Sequence, residues 1–131
     1  MIAVRQEDVV RALKKFRRLA KQDLLASGHT SEPDFWRAQA EVRRETYARL
    51  IEAVEQRGVD AAYREAVEAY AALPLLREGQ KDPRISGSEQ AFEMFFHVVG
   101  VDAKEMTRMR NGRRRRPYSE SSDPVTVRVG V

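Results

Sequence analysis

Apolar residues recur at intervals of three and four along most of the first 110 positions, the spacing that lines one face of an α-helix. The N-terminal repeats occupy three stretches, 6–26, 31–57 and 61–73. Gly28 and Gly58 follow the first two stretches and Pro74 follows the third, and both residue types end helices. The turns between the stretches are short, so we predict a stack of three antiparallel helices over residues 1–73, with Asp60 as the N-cap of the third.

The C-terminal half predicts a second, smaller helical unit. Residues 74–88 hold two prolines and two glycines and predict a linker or mobile loop. A hairpin of two helices follows in residues 89–116, with Ser86 or Ser88 capping the first helix and Asp102 capping the second. Valines alternate with other residues near the C-terminus, so we predict an extended tail over 117–131. The predicted fold class is all-α, with about five helices.

Composition places the chain among ordinary globular domains. It has 131 residues, 42% hydrophobic and 34% charged, which suffices for one core without metals or disulfides. Cysteine is absent, and no apolar run is long enough to span a bilayer. The N-terminus lacks the apolar segment of a signal peptide. We expect a cytoplasmic protein with no membrane partner.

Charge is unevenly distributed about the net value of +4. The first 30 residues carry +4, residues 31–73 carry −3, and residues 74–131 carry +3. Most of the C-terminal excess lies in 104–116, where seven basic residues accompany one acid. Such a distribution is compatible with binding a polyanion or with pairing between copies of the chain.

The segment 92–111 resembles the helix-turn-helix motif of DNA-binding proteins. Apolar side chains surround its central glycine, Gly100, at five positions: Phe95, Val99, Val101, Met106 and Met109. The motif prefers a small residue where Phe96 stands. The resemblance implies that residues 103–110 form a recognition helix in the major groove. The nucleic-acid-binding residues would be Lys104, Thr107, Arg108, Arg110, Arg113, Arg114, Arg115 and Arg116.

A second basic surface is predicted on the first helix, on the face opposite its apolar residues. Its members are Arg11, Lys14, Lys15, Arg18 and Lys21. A basic amphipathic helix can lie on a membrane, on nucleic acid or on an acidic protein partner, or can simply be the solvated outer face of a core helix. Of these four, the pattern alone favours the solvated outer face.

One charged residue interrupts the apolar face of the second helix. Arg43 has Trp36 and Tyr47 at helical neighbour spacings, so we predict that it is buried. A buried guanidinium requires compensation, either from an internal ion pair, from a protomer interface or from an anionic ligand. We favour the ion pair, with Glu65 or Glu68 as partner. Trp36 and Phe16 are expected to be largely buried.

Signals of catalysis are missing from the sequence. It contains no phosphate-binding glycine loop, no nucleophile elbow and no zinc-binding HExxH motif. Its two histidines, His29 and His97, lack the spacing of metal ligands. We therefore expect no metal, no cofactor and no enzymatic activity.

The sequence favours a small nucleic-acid-binding protein, with DNA a better match than RNA, that acts through residues 86–116. The alternative is a helical module for protein interaction or homo-oligomerisation. In that case the valine tail would add a strand to a second copy.

Overall fold

The computed structural model describes residues 2–113, and the predicted tail and the arginines at 114–116 lie outside that range. Five α-helices account for most of the described chain: α1 Gln6–Ala26, α2 Pro33–Arg57, α3 Val59–Ala72, α4 Pro83–Val98 and α5 Ala103–Asn111. A single 3₁₀ turn, Ser27–His29, follows α1. The predicted all-α class with five helices is confirmed.

Helix α2 is the central element, because α1, α3 and α4 all pack against it. The α1–α2 pair is antiparallel: Asp23 near the end of α1 meets Arg43, whereas Phe16, two turns earlier, meets Tyr47. Gly58 turns the chain from α2 into α3 with a φ of +88°, a conformation that costs glycine little. Both connections are short, so neighbouring helices reverse direction, as the sequence predicted.

An aromatic cluster forms the centre of the core between α3 and α4. Phe96 is fully buried and contacts the rings of Tyr63 and Tyr70 edge to face, with centroids 5.8 and 5.4 Å away. Phe92 and Phe95 lie beside it on α4. Phe96 therefore fills the space between α4 and α3. The large side chain that departs from the helix-turn-helix pattern is a principal core residue here.

The predicted N-caps of α3 and α4 are wrong. Gly58 occupies the N-cap position of α3, and Asp60 instead accepts a hydrogen bond from the backbone N–H of Ile2 at 2.9 Å. Helix α4 begins at Pro83, and its N-cap Asp82 accepts bonds from the next two backbone N–H groups. Proline suits the first turn of a helix, since the N–H it lacks has no helical partner there. Residues 83–88, which were predicted to belong to the linker, are therefore the first residues of α4.

Gly87, predicted to lie in that linker, is a point of close approach between α4 and α2. A Cβ atom at this position would lie 2.5 Å from the carbonyl oxygen of Gln39 and 3.1 Å from the Cβ of Val42. Gln39 is itself buried and donates a hydrogen bond to Gln90 at 2.8 Å. The backbone contact fixes the spacing of the two helices.

Replacing Gly87 with alanine should therefore destabilise the protein by about 1–2 kcal/mol. Overpacking costs roughly 1–3 kcal/mol, and the gain in helix propensity returns up to about 1 kcal/mol. Urea denaturation measures the difference. The matched control is Gly28→Ala, since a Cβ at Gly28 meets nothing within 4 Å. Equal stability of the two variants would show that α4 can move away from α2 at no cost.

The burial predicted for Trp36 is wrong, because this side chain is 40% exposed. Burial on α2 begins only at Gln39, so the first turn of the helix stands outside the core. Trp36 packs edge to face on Phe35 instead. Phe16 is half-buried against the core, which is less than the sequence predicted.

Arg43 is buried and ion-paired, but with a different partner from those suggested. Its Nη2 donates to the Oδ2 of Asp23 on α1 at 2.5 Å. Glu65, one of the suggested partners, is bound by Arg57 at 2.7 Å. Arg43 therefore pairs across the contact between α1 and α2, and not with α3.

Candidate nucleic-acid interface

The predicted recognition helix α5 forms where expected, and Asp102 caps it by accepting a bond from the backbone N–H of Glu105 at 2.8 Å. It has few close backbone contacts with any other helix and is attached mainly through Met106 and Met109. Lys104, Thr107 and Arg108 are all exposed on it. The Thr107 hydroxyl donates to the carbonyl of Ala103 at 3.0 Å. The exposed face of α5 is thus small and only weakly basic.

Both arginines of α5 form ion pairs with glutamates. Arg108 forms two hydrogen bonds with Glu105, one turn earlier on the same helix, through its Nε and Nη2. Arg110 reaches across to α4, where its Nη1 lies 3.0 Å from a Glu89 oxygen and 3.3 Å from a Glu93 oxygen. A phosphate that approached either guanidinium would compete with a carboxylate already in place.

The prediction that Arg113 binds phosphate is wrong, because its side chain is completely buried. The guanidinium donates to the carbonyl oxygens of Leu73 and Pro74, at 3.1 and 2.8 Å, and to Glu89 at 2.7 Å. It also stacks over the ring of Tyr70, 4.8 Å from the centroid. Arg113 therefore binds the end of α3 to α4 and cannot face a ligand in solution.

Tyr70 links this buried arginine to the acidic pair on α4. Its hydroxyl donates to Glu93 at 2.7 Å, and burial together with this carboxylate raises the pKa of Tyr70 to about 12. The phenol therefore remains protonated as a donor throughout the physiological range. This hydrogen-bonded and ion-paired network links helices α3, α4 and α5 to one another. Its members are Tyr70, Glu89, Glu93, Arg110 and Arg113.

Within residues 2–113, the largest set of cations without an acidic partner lies on α1. Residues 9–22 contain six lysines and arginines and no acid. Arg11 contacts Asp8 at 3.1 Å, but the other five, Lys14, Lys15, Arg17, Arg18 and Lys21, have no acidic partner in the described part of the chain. All of them except Arg17 are well exposed. Like charges on adjacent turns repel one another, so this concentration opposes folding in the absence of a ligand.

A cleft of about 550 Å³ runs between α1 and α2 beside this surface. Its charged lining residues are Arg17, Arg18, Lys21 and Arg44, with Glu41 and Glu45 on the α2 side. Four cations face two carboxylates, so the cleft keeps a positive excess. Arg44 thereby adds one cation from α2 to the surface built by α1.

No protein-family model, curated protein or solved structure gives a significant match to this chain. Within residues 2–113 there is no cluster of three or more side chains suited to hold a metal ion. None of the helices described is both long enough and apolar enough to cross a membrane. Any functional inference therefore rests on the charges and geometry of the surface itself.

The two basic surfaces found in the sequence thus have different fates in the structure. The C-terminal one loses Arg113 to the core and has Arg108 and Arg110 in ion pairs, while 114–116 lie outside the described residues. The surface on α1 keeps its cations exposed. The sequence does contain a signal for this difference: the acids Glu89, Glu93 and Glu105 lie close along the chain to the C-terminal cations, whereas residues 9–22 contain none.

Proposed function

We propose that this protein binds nucleic acid without catalysing a reaction, and that the outer face of α1 makes the contact. The observation that carries the proposal is the acid-free stretch 9–22, with five cations that have no partner in residues 2–113. A nucleic acid presents a dense line of negative charge, and each phosphate neutralised releases condensed counterions. The free energy of counterion release, together with the attraction of the phosphates, offsets the repulsion between the neighbouring cations of α1.

The packing of α1 argues for a polyanion over a membrane surface. A basic amphipathic helix binds lipid by inserting its apolar face between the headgroups. Here that face is already occupied, because Val9 and Leu13 are fully buried and Ala20 nearly so. The solvent-facing side of α1 is mostly polar, because its two exposed large apolar side chains, Leu19 and Leu25, lie about 120° apart around the helix axis and form no continuous apolar face. It can attract a charged surface but has little apolar area to insert into a bilayer.

Salt dependence of binding tests the proposal. With about four phosphates neutralised, log K for duplex DNA should fall with log salt at a slope of roughly −4. Replacing Lys14, Lys15 and Lys21 with glutamine should reduce the slope to about −1. It should also weaken binding at about 50 mM salt on the order of 100- to 1,000-fold. Fluorescence anisotropy with labelled duplexes of unrelated sequence measures both quantities.

A matched control separates this site from the overall charge. Arg49, Arg64 and Arg84 are exposed and outside α1, and their replacement with glutamine changes the net charge by the same amount. We expect this variant to bind nearly as the wild type does. A third variant, with glutamine at 114–116, tests the predicted C-terminal run. If that variant, and not the α1 variant, loses binding, then α1 is not the site; if the wild type fails to bind at about 50 mM salt, the function itself is wrong.

A further inference from the structure

The exposed side chains of α1 form an ordered arc when placed at 100° per residue around the helix. Arg18 lies at the middle of the arc, directly opposite the buried face, with Glu7, Arg11, Lys14, Gln22 and Leu25 within about 40° of it. Lys14 and Lys21 lie on one side of Arg18, at about 40° and 60°, and Lys15 lies at about 60° on the other side. The C-terminal part of the middle row, Arg18, Gln22 and Leu25, therefore contains groups able to make specific contacts, with Lys15 and Lys21 beside it. Glu7 lies about 16 Å from Arg18 along the axis, in the first turn of the helix.

The position of α1 in the bundle leaves this arc accessible. Helix α1 packs almost entirely against α2, so it is an edge helix whose outer side no other part of residues 2–113 covers. An α-helix with its side chains is about 10–12 Å across, and the major groove of B-form DNA is about 12 Å wide. The major groove of A-form RNA is too narrow for such a helix. The shape of the edge thus matches duplex DNA.

The absence of an aromatic residue on the arc excludes the usual mode of single-strand binding. Proteins that bind single strands stack the bases on exposed aromatic side chains. The aromatic residue of α1 is Phe16, and its ring packs on Tyr47, 5.6 Å between centroids, on the core side of the helix. A single strand would therefore find charge on α1 but no stacking platform.

Leu25 is the second, independent observation. This side chain is 75% exposed, compared with 45% for Leu19 and 40% for Trp36. It lies on the arc seven residues after Arg18, about 10 Å along the helix, which corresponds to roughly three base-pair steps. Apolar side chains in the major groove contact the methyl group of thymine. Because Leu25 is mostly exposed, its side chain is available for that contact.

We propose that α1 is a recognition helix for the major groove of duplex DNA, a role that rests on the proposed function of the same surface. Arg18 and Gln22 contact base edges, as arginine does with guanine and glutamine with adenine. Leu25 contacts a thymine methyl group. Lys14 and Lys21 contact the phosphates of one strand, and Lys15 those of the other.

The acids beside α1 set the lateral limit of this footprint. Glu41 and Glu45 line the cleft on the α2 side, close to Arg17, Lys21 and Arg44, and Glu55 lines a second groove on that side with Glu7, Lys14 and Arg18. Duplex DNA centred on Arg18 keeps its phosphates over the lysines. A duplex displaced toward α2 would bring its phosphates close to these carboxylates. The acids therefore favour a position of the DNA centred on Arg18 over positions closer to α2.

Selection from a pool of random duplexes tests base recognition. The wild type should enrich a short motif of about four to six base pairs. Arg18→Ala and Gln22→Ala should each lose roughly tenfold or more of the discrimination at a different base position, and Gln22→Ala should leave the salt slope unchanged because glutamine carries no charge. Lys14→Gln should weaken binding to all sequences alike and reduce the slope by about 0.9.

Replacement of thymine by deoxyuracil in the enriched motif tests Leu25 directly, because only the methyl group is removed. The wild type should lose affinity at one position, and Leu25→Ala should be insensitive to the same replacement. Thermal melts of the variants check folding, which these exposed positions should leave intact. If the wild type binds duplexes with a steep salt slope but enriches no motif, base recognition is wrong while the proposed function stands. An enriched motif unaffected by the Arg18, Gln22 and Leu25 variants would likewise overturn it.

Discussion

Replacing Phe96 with alanine should destabilise the protein by about 4 kcal/mol, the largest effect that we expect from one substitution. Its ring is fully buried and contacts four other aromatic rings, those of Tyr63, Tyr70, Phe92 and Phe95. Truncation of a buried phenylalanine removes its transfer free energy and leaves a cavity, which together cost roughly 3–5 kcal/mol. Chemical denaturation monitored by circular dichroism measures the loss.

The stability of the Phe96→Ala variant also tests the helix-turn-helix interpretation. That motif prefers a small residue at the position of Phe96, so under that interpretation alanine would be tolerated. Phe35→Ala is the matched control, because Phe35 packs on Trp36 at the exposed start of α2, and its loss should cost less than about 1 kcal/mol. Equal stability of the two variants would mean that α4 does not pack on α3 through this ring.

We expect Arg113→Ala to cost about 3 kcal/mol, although Arg113 belongs to a run that the sequence presents as a solvated charge cluster. The substitution removes bonds to two backbone carbonyls and one to Glu89, together with the stacking on Tyr70. Hydrogen bonds of a charged group contribute roughly 1.5–3 kcal/mol each, and buried partners left behind are desolvated without compensation. Urea midpoints at neutral pH provide the measurement.

Two controls sharpen this result. Arg108→Ala removes an exposed arginine whose partner lies one turn away on α5, and its stability should be unchanged within error. Arg113→Lys keeps the charge but loses the planar fork that reaches three acceptors at once, so it should recover only part of the stability. An Arg113→Ala variant as stable as Arg108→Ala would show that this side chain is not fastened to α3 and α4.

The buried position of Arg113 also changes how the arginine run is interpreted. Four consecutive arginines suggest one polyanion-binding unit, yet the first of them stabilises the fold. A variant in which all four are replaced would lose stability and any phosphate contacts together. Variants restricted to 114–116 avoid this confusion, which is why the binding experiments above leave Arg113 intact.

The sequence alone determined the helices, because their apolar spacing, glycine stops and prolines are local signals. The bounds of α1, the end of α2 and the cap of α5 at Asp102 all follow from residues within a few positions. The N-caps of α3 and α4 were missed for a physical reason. Gly58 serves both to end α2 and to begin α3, and Asp82-Pro83 has the form of a helix start inside a segment rich in loop residues.

Only the tertiary structure decided which charges are available to a partner. Whether an arginine is free depends on the carboxylates that packing brings within about 4 Å, and these come from other helices. Arg43 of α2 forms an ion pair with Asp23 of α1, and Arg113 forms one with Glu89 of α4. The lysines of α1 find none among the described residues, because the side of α1 opposite α2 is uncovered. Periodicity identifies the two faces of a helix, but only the packing of the other helices determines which cations remain unpaired.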